Sequence, residues 1–230
     1  DKNMVVLAGL PLTVNGVLYN VAAVLHDGDI LGFVPKSYLP TYSEFYEGRH
    51  YHSGADIEAD VLFNGRTYPF GTRLLFRCRQ MPAFTLGIEI CEDLWVAQPP
   101  SISHALAGAT VIANLSASDE TTGKDIYRRS LVSGQSARLV CGYIYADAGE
   151  GESSTDLVFG AHNLICENGS ILAESERFIN QMIMADMDMS KLISERRRMT
   201  TWQPKFDNGY RVIDFDLEMH EVDLRRFIDP

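Results

Sequence analysis

The 230-residue sequence lacks long hydrophobic runs and an excess of basic charge. No apolar run approaches the roughly 20 residues that a membrane helix needs, so we predict no membrane partner. Lys and Arg number 20 against 31 Asp and Glu, which gives a net charge of −11. A surface of that sign repels nucleic acid, so a nucleic-acid partner is excluded as well. The 46% hydrophobic content predicts an ordinary globular domain with a substantial core.

The four cysteines show neither a CxxC pair nor a zinc-type spacing, so we predict no metal site. Cys91, Cys141 and Cys166 lie in apolar surroundings, which favours reduced thiols and a cytoplasmic location. Cys78, Cys141 and Cys166 have no partner motif, and we interpret them as inert thiols.

Turn signals and strand–helix alternation predict an α/β fold (α+β by some schemes) with a mixed sheet. Asp27-Gly28 and Asn64-Gly65 are hairpin signals. After residue 85, predicted strands at 110–115 and 142–146 alternate with helices that begin near Ser101 and at Lys124. Toward the C-terminus we predict a hairpin of 157–159 with 163–165, a last strand at 182–187, a helix at 190–199 and an irregular polar tail from 202 to 230.

The stretch 85–95 organises the chain. Its apolar run reads as a buried strand that ends on Cys91, with Glu92 and Asp93 following and a helix starting soon after. Cys91 is therefore expected at the C-terminal edge of a sheet, where open α/β sheets place their sites. A thiol there can become a nucleophile if its thiolate is stabilised. The alternative is a buried inert cysteine, the commoner fate of a lone strand cysteine.

Lys36 stands where an apolar strand runs into the long polar and aromatic segment 35–54. A lysine in that position is usually solvated. A lysine, a glutamate and a cysteine brought together would nevertheless suffice for acyl transfer. The ammonium lowers the thiol pKa and stabilises a tetrahedral oxyanion, while the carboxylate moves protons.

Three stretches resemble the nitrilase (carbon-nitrogen hydrolase) superfamily, and within it the glutaminase domains of bacterial glutamine-dependent NAD synthetases. They are Lys-Ser-Tyr-Leu-Pro at 36–40, Tyr-Ser-Glu-Phe-Tyr-Glu at 42–47 and Glu-Ile-Cys-Glu-Asp-Leu-Trp at 89–95. The resemblance runs from about Leu7 to Met199 and also includes 106–109, 114–118, 149–157 and 173–178.

The resemblance implies an αββα sandwich that hydrolyses glutamine with a Glu-Lys-Cys triad. Cys91 would form a γ-glutamyl thioester and release ammonia, Lys36 would steady the oxyanion, and Glu47 would hold the lysine in place. The positions implied for the glutamine pocket are Tyr42, Phe45 and Ser118, and the backbone amide of Glu92, the residue after the nucleophile, is expected to bind substrate as an oxyanion donor.

Two parts of the family pattern are expected outside this chain. The general-base glutamate belongs to an N-terminal strand–helix unit that would precede Asp1, so we expect this chain alone to have no useful turnover. We interpret 1–200 as an N-terminally truncated glutaminase domain, either excised or a degenerate relative. Residues 201–230 would be an extension or linker toward a synthetase domain.

The resemblance also implies the ligands and partners. The domain itself would need no cofactor, whereas ATP, Mg and deamido-NAD would belong to the absent synthetase domain. Glutamine, the synthetase domain and further copies of the chain in a homo-oligomer are the predicted partners. Two alternatives remain open: a stand-alone amidase or carbamoylase for another small amide, and a non-catalytic truncated scaffold.

Overall fold

The computed structural model describes residues 3–152, 156–205 and 209–219. Among these residues, the strands form a five-stranded and a seven-stranded sheet. The strands are β1 (Val5–Val14), β2 (Val17–His26), β3 (Asp29–Pro35), β4 (Glu58–Phe63), β5 (Arg66–Gly71), β6 (Leu74–Cys78), β7 (Thr85–Ile90), β8 (Val111–Ser116), β9 (Gly142–Asp147), β10 (Leu164–Glu167), β11 (Ser170–Glu174) and β12 (Arg211–Phe215). The helices are α1 (Pro100–Leu106), α2 (Lys124–Leu139) and α3 (Met189–Arg198), with 3₁₀ turns at Glu47–Arg49 and Cys91–Leu94.

Hairpins build the first sheet, in the order β1-β2-β3-β5-β4. Asp27 and Gly28 both have positive φ (47° and 80°), as do Asn64 and Gly65 (48° and 77°). Left-handed pairs of this kind match the twist of two antiparallel strands. Both predicted hairpins are confirmed.

Crossover helices build the centre of the second sheet, in the order β11-β10-β9-β8-β7-β6-β12. β7, β8 and β9 run parallel because α1 and α2 carry the chain back between them. Their carboxyl ends therefore meet at one edge, and the residues that follow them lie close together.

Alternate residues of the strands face two different cores. Ala22, Val24 and Val34 pack between the sheets against Phe76 and Ile88. The other face of the seven-stranded sheet packs against α1 and α2, in a cluster that includes Ala105, Ile112, Val132, Leu139 and Leu164. The predicted α/β sandwich is confirmed.

Two predicted strands are wrong. Residues 157–159 form no strand, and Phe159 makes only an isolated bridge with Asp119. β10 instead pairs with β9 and β11, and all four of its residues are buried. Residues 182–187 form no strand either: Met182 and Met184 are exposed, and Met187 packs on Gly142.

The tail predicted to be irregular contributes a strand. β12 pairs in parallel with β6, and Phe215 is buried in the core between the sheets. Asp214 also binds Arg77 on β6, with an Nε–Oδ1 distance of 2.8 Å. The prediction was therefore wrong for 211–215, whereas 220–230 lie outside the described residues. No helix in the described part of the chain is long and apolar enough to cross a membrane.

Candidate active site

A cavity of about 760 Å³ opens between the two sheets at the carboxyl ends of β7, β8 and β9. The five-stranded sheet and its following loop supply Lys36 and Glu47 to the cavity wall, and the seven-stranded sheet supplies Cys91. The structure thus brings together the cysteine, the lysine and the glutamate that the sequence singled out.

Cys91 follows β7 directly and has a positive φ of 48°. A side chain in that region of backbone space is strained, and it persists only where its surroundings hold it. The Cys91 N–H donates to Oδ1 of Asn114, at 3.0 Å. Asn114 is itself fixed, because its Oδ1 accepts from Ser116 and its Nδ2 donates to Tyr143. The thiol therefore stands on a braced turn at the edge of the sheet.

Lys36 is 2% exposed and is held at both its backbone and its ammonium group. Its N–H donates to the Asn20 carbonyl at 2.9 Å, and its own carbonyl accepts from Gly54 at 2.8 Å. Its Nζ donates to Oε2 of Glu47 at 2.5 Å. Glu47 accepts a further bond at Oε1 from the Asn20 side chain, at 3.1 Å. Both the charge and the direction of the ammonium are therefore set before any substrate arrives.

The pKa values of both key groups are raised by their surroundings. Burial raises the pKa of the Cys91 thiol, and the nearby Lys36 ammonium only partly offsets that rise. Burial disfavours the ammonium of Lys36, but Cys91, Glu47 and Asp93 outweigh it and raise the Lys36 pKa. Lys36 does lower the thiol pKa as expected from the sequence, yet burial is the larger effect. A proton acceptor is thus needed to form the thiolate.

A second cavity of about 400 Å³ also reaches Cys91. All four positions predicted for the substrate pocket line it: Tyr42, Phe45, Glu92 and Ser118. Tyr42 is 56% exposed and donates its hydroxyl to Oε1 of Glu92 at 2.7 Å. Desolvation and this hydrogen bond raise the pKa of Tyr42 to about 12.

Ser118 presents its hydroxyl in a defined orientation. Its N–H donates to Oδ1 of Asp147 at 2.8 Å, and its Oγ accepts from Nη2 of Arg128 at 3.1 Å. A guanidinium only donates, so the proton of the Ser118 hydroxyl must point elsewhere.

Lys124 adds a cation to the wall of the second cavity. Its ammonium pairs with Asp119. It also lies over the rings of Phe45 and Trp95, 5.6 and 5.3 Å from their centroids. These contacts hold a positive charge beside the cavity that contains Cys91.

Sequence reasoning missed Lys124 and four further polar residues of the site. Asp93 and Asn114 lie inside stretches that carried the resemblance, but nothing in the sequence showed which groups they bind. Asn20 and Asp147 gave no signal, because the groups that they bind lie 27 and 29 positions away in the sequence. Asp147 lines the first cavity with Cys91, and burial raises its carboxyl pKa to about 7.

The remaining cysteines are free and buried. Burial raises the thiol pKa of Cys141 to about 12 and that of Cys166 to about 11. The described residues contain no group of three or more His, Cys, Asp or Glu side chains that could hold a metal ion.

A sandwich of two sheets with a cysteine beside a buried lysine–glutamate pair defines a candidate thiol hydrolase. Comparison with known families supports that class, since the carbon-nitrogen hydrolase family model matches residues 1–197. The chain belongs to the carbon-nitrogen hydrolase family.

Two curated relatives indicate a narrower group of proteins than the family as a whole. The chain is 47% identical to a glutamine-dependent NAD(+) synthetase of Mycobacterium tuberculosis (strain ATCC 25618 / H37Rv), over 97% of this chain and 34% of the relative. It is 45% identical to the Mycobacterium leprae protein of the same name, over 95% and 33%. The chain thus spans about a third of the length of these relatives. The resemblance noted from the sequence is confirmed.

Solved structures agree with the sandwich. A glutamine-dependent NAD(+) synthetase from Cytophaga hutchinsonii superimposes with a TM-score of 0.67 at 30% identity, over 76% of this chain and 28% of that one. A carbon-nitrogen hydrolase from Helicobacter pylori G27 gives a TM-score of 0.64 at 19% identity, over 85% and 65%. The second likeness supports the fold alone.

Proposed function

We propose that this chain is the glutamine amidohydrolase domain of a longer glutamine-dependent NAD synthetase. The observation that carries the proposal is the convergence of Cys91, Lys36 and Glu47 on one cavity, with Lys36 and Glu47 already paired. The long relatives support the proposed context, because a third of their length corresponds to this chain.

In the proposed reaction, the Cys91 sulfur attacks the side-chain carbonyl carbon of glutamine. A base takes the thiol proton, and the carbonyl oxygen becomes an oxyanion beside the Lys36 ammonium. The N–H of Glu92 is a second proposed donor to it. Collapse of the tetrahedral intermediate breaks the C–N bond, and the proton returned to the nitrogen releases ammonia. Water then hydrolyses the Cys91 thioester, which yields glutamate and restores the thiol.

The charges of the second cavity favour glutamine over an uncharged amide. Its wall carries the Glu92 carboxylate and the Lys124 ammonium. Free glutamine has an α-ammonium and an α-carboxylate, which these two groups complement. Before glutamine binds, Lys124 pairs with Asp119 and Glu92 accepts from Tyr42. A stand-alone amidase for a small neutral amide is the competing outcome of the substrate test.

The released ammonia would serve the synthetase domain of the parent protein. ATP, Mg and deamido-NAD belong, in this proposal, to that domain, and none of the three is needed for amide hydrolysis. We also propose a cytoplasmic homo-oligomer, in keeping with the reduced cysteines.

The experiment is site-resolved labelling of this chain with a glutamine-mimicking electrophile. Cys91 should be modified, and free glutamine should protect it, whereas a neutral amide should not. Cys78, Cys141 and Cys166 are internal controls, because all three are buried. Equal protection by a neutral amide would support the amidase, and no labelling of Cys91 in the full-length parent protein would support a non-catalytic scaffold.

A further inference from the structure

The carboxylate of Asp93 joins two separate segments of the active site. Asp93 is 1% exposed and lies in the turn that begins at Cys91. Its Oδ1 accepts from the N–H groups of Ser37 at 3.1 Å and Tyr38 at 2.8 Å. Its Oδ2 accepts from the N–H of Ile90 at 2.9 Å. One carboxylate thus ties the end of β3 to the end of β7.

The tied residues flank the reacting pair. Ser37 follows Lys36 directly, and Ile90 directly precedes Cys91. Any movement of one segment relative to the other would have to stretch a bond to Asp93. Burial raises the pKa of the Asp93 carboxyl to about 7, so the ionised form that accepts all three bonds prevails above that pH. Hydrogen bonds to an ionised carboxylate are roughly twice as strong as bonds between neutral groups.

We propose that Asp93 is a positioning residue that fixes the Lys36 ammonium against the Cys91 thiol. The inference rests on the proposed function for the roles of those two groups, and it assigns Asp93 a role in assembling them. Asp93 touches neither the substrate nor the reacting atoms in this account; it acts through Lys36.

A carboxylate can accept all three of these hydrogen bonds, whereas an amide cannot. An asparagine offers one carbonyl oxygen, and its NH₂ group would face an N–H donor instead of accepting from it. Asp93→Asn should therefore release one of the two segments. Loss of the negative charge also removes one of the influences that raise the Lys36 pKa, alongside Cys91 and Glu47.

The test is the rate at which iodoacetamide alkylates Cys91, measured by mass spectrometry across pH. Below the thiol pKa this rate follows the thiolate fraction. The charged groups that bear on Cys91 are Lys36, Glu47 and Asp147, and Lys36 lowers its pKa. Lys36→Met should slow alkylation at a fixed pH by roughly tenfold or more, since a close opposite charge shifts a pKa by about 1–3 units.

Asp93→Asn should slow alkylation in the same direction and move the pH profile upward. In the double variant, Asp93→Asn should add nothing to the effect of Lys36→Met, because both remove the same interaction. A residue with only a structural role would give effects that multiply. Asp29→Asn is the matched control, because Asp29 also accepts three hydrogen bonds. It lies at the exposed turn between β2 and β3.

Circular dichroism verifies the fold of each variant, and Asp93→Ser, which has one side-chain oxygen and no charge, replaces Asp93→Asn in the cycle if that variant does not fold. A folded Asp93 variant that alkylates at the wild-type rate would overturn the proposal, as would slowing that multiplies with Lys36→Met. Glutamine is absent from the assay. Failure of the proposed function would appear separately, as failure of glutamine to protect Cys91 in the labelling experiment.

Discussion

The two sheets contribute catalytic groups that differ in how far they are prepared for the reaction: the lysine is already charged and bound, whereas the thiol has a raised pKa. The five-stranded side presents Lys36 as an ammonium already bound to Glu47, which Asn20 holds in turn. The seven-stranded side presents Cys91 on a strained, braced turn, but with its thiol pKa raised by burial. The charged lysine of the site is thus in place, whereas a base must still take the proton of the Cys91 thiol. At the partly buried Cys91, loss of solvent raises the thiol pKa more than the charge of Lys36 lowers it.

Loss of the nucleophile on the seven-stranded side should have the largest effect on activity. In the full-length parent protein, Cys91→Ala should abolish glutamine-dependent synthesis and leave synthesis from added ammonia largely intact. The reason is that the thioester cannot form without the sulfur. Assays with each nitrogen source check this, with Cys166→Ala as the control. Glutamine hydrolysis at the wild-type rate would mean that another nucleophile exists.

Removal of the cation should have the next largest effect. Lys36→Met leaves the oxyanion without its charged partner, which should raise the barrier by about 2.7–4 kcal/mol, or a loss of roughly 10²–10³ in kcat. Steady-state ammonia release in the parent protein measures it. Lys191→Met, at an exposed lysine on α3, is the control and should be unaffected. A change in KM alone would contradict the role in the transition state.

Replacement of Glu47, on the five-stranded side, should have a smaller effect, which appears in the pH dependence of kcat. Glu47 raises the Lys36 pKa, whereas burial lowers it. In Glu47→Gln the burial effect gains weight, so Lys36 should lose its proton at a lower pH. Activity depends on the charged lysine and is lost as pH rises through that pKa. The alkaline limb of the kcat profile should therefore move to lower pH; an unmoved limb would show that Glu47 does not sustain the charge.

The smallest effect is expected at the rim of the pocket. Tyr42→Phe removes the hydrogen bond to Glu92 from a half-exposed ring. Such a bond contributes about 0.5–1.5 kcal/mol, or slightly more with a charged partner, so KM for glutamine should rise severalfold with kcat nearly unchanged. Kinetics with glutamine and a neutral amide check it. An equal rise for both amides would contradict the recognition of glutamine by Glu92.

The sequence predicted the element that carries the nucleophile because its signal is local. β7 is buried on every residue, so a continuous apolar run was enough to bound it at Thr85–Ile90. The hairpins were predictable for the same reason, since each turn is encoded by a dipeptide. β12 was not predictable, because a short, partly exposed strand is defined by the edge of β6 that it joins.

The residues of the site differ in the same way: some have a local sequence signal and others do not. Lys36, Glu47 and Cys91 were found because their stretches resemble a family. Asp93 was seen only as an acid after the cysteine, and its bonds to Ser37 and Tyr38 cross 56 and 55 positions of sequence. The raised pKa of Cys91 was also beyond sequence reasoning, because burial outweighs the charge of Lys36 only once the fold is known.

The most direct test of the account compares ammonia release from glutamine by this chain and by a form extended upstream through the strand–helix unit that the family resemblance implies. We expect turnover by the extended form and none of practical use by this chain, because the family resemblance implies that the base for the Cys91 thiol lies in that unit. Comparable turnover by both forms would contradict it. The base would then lie within these 230 residues, and Asp147, whose carboxyl lines the cavity with a pKa of about 7, would be the first carboxylate to replace.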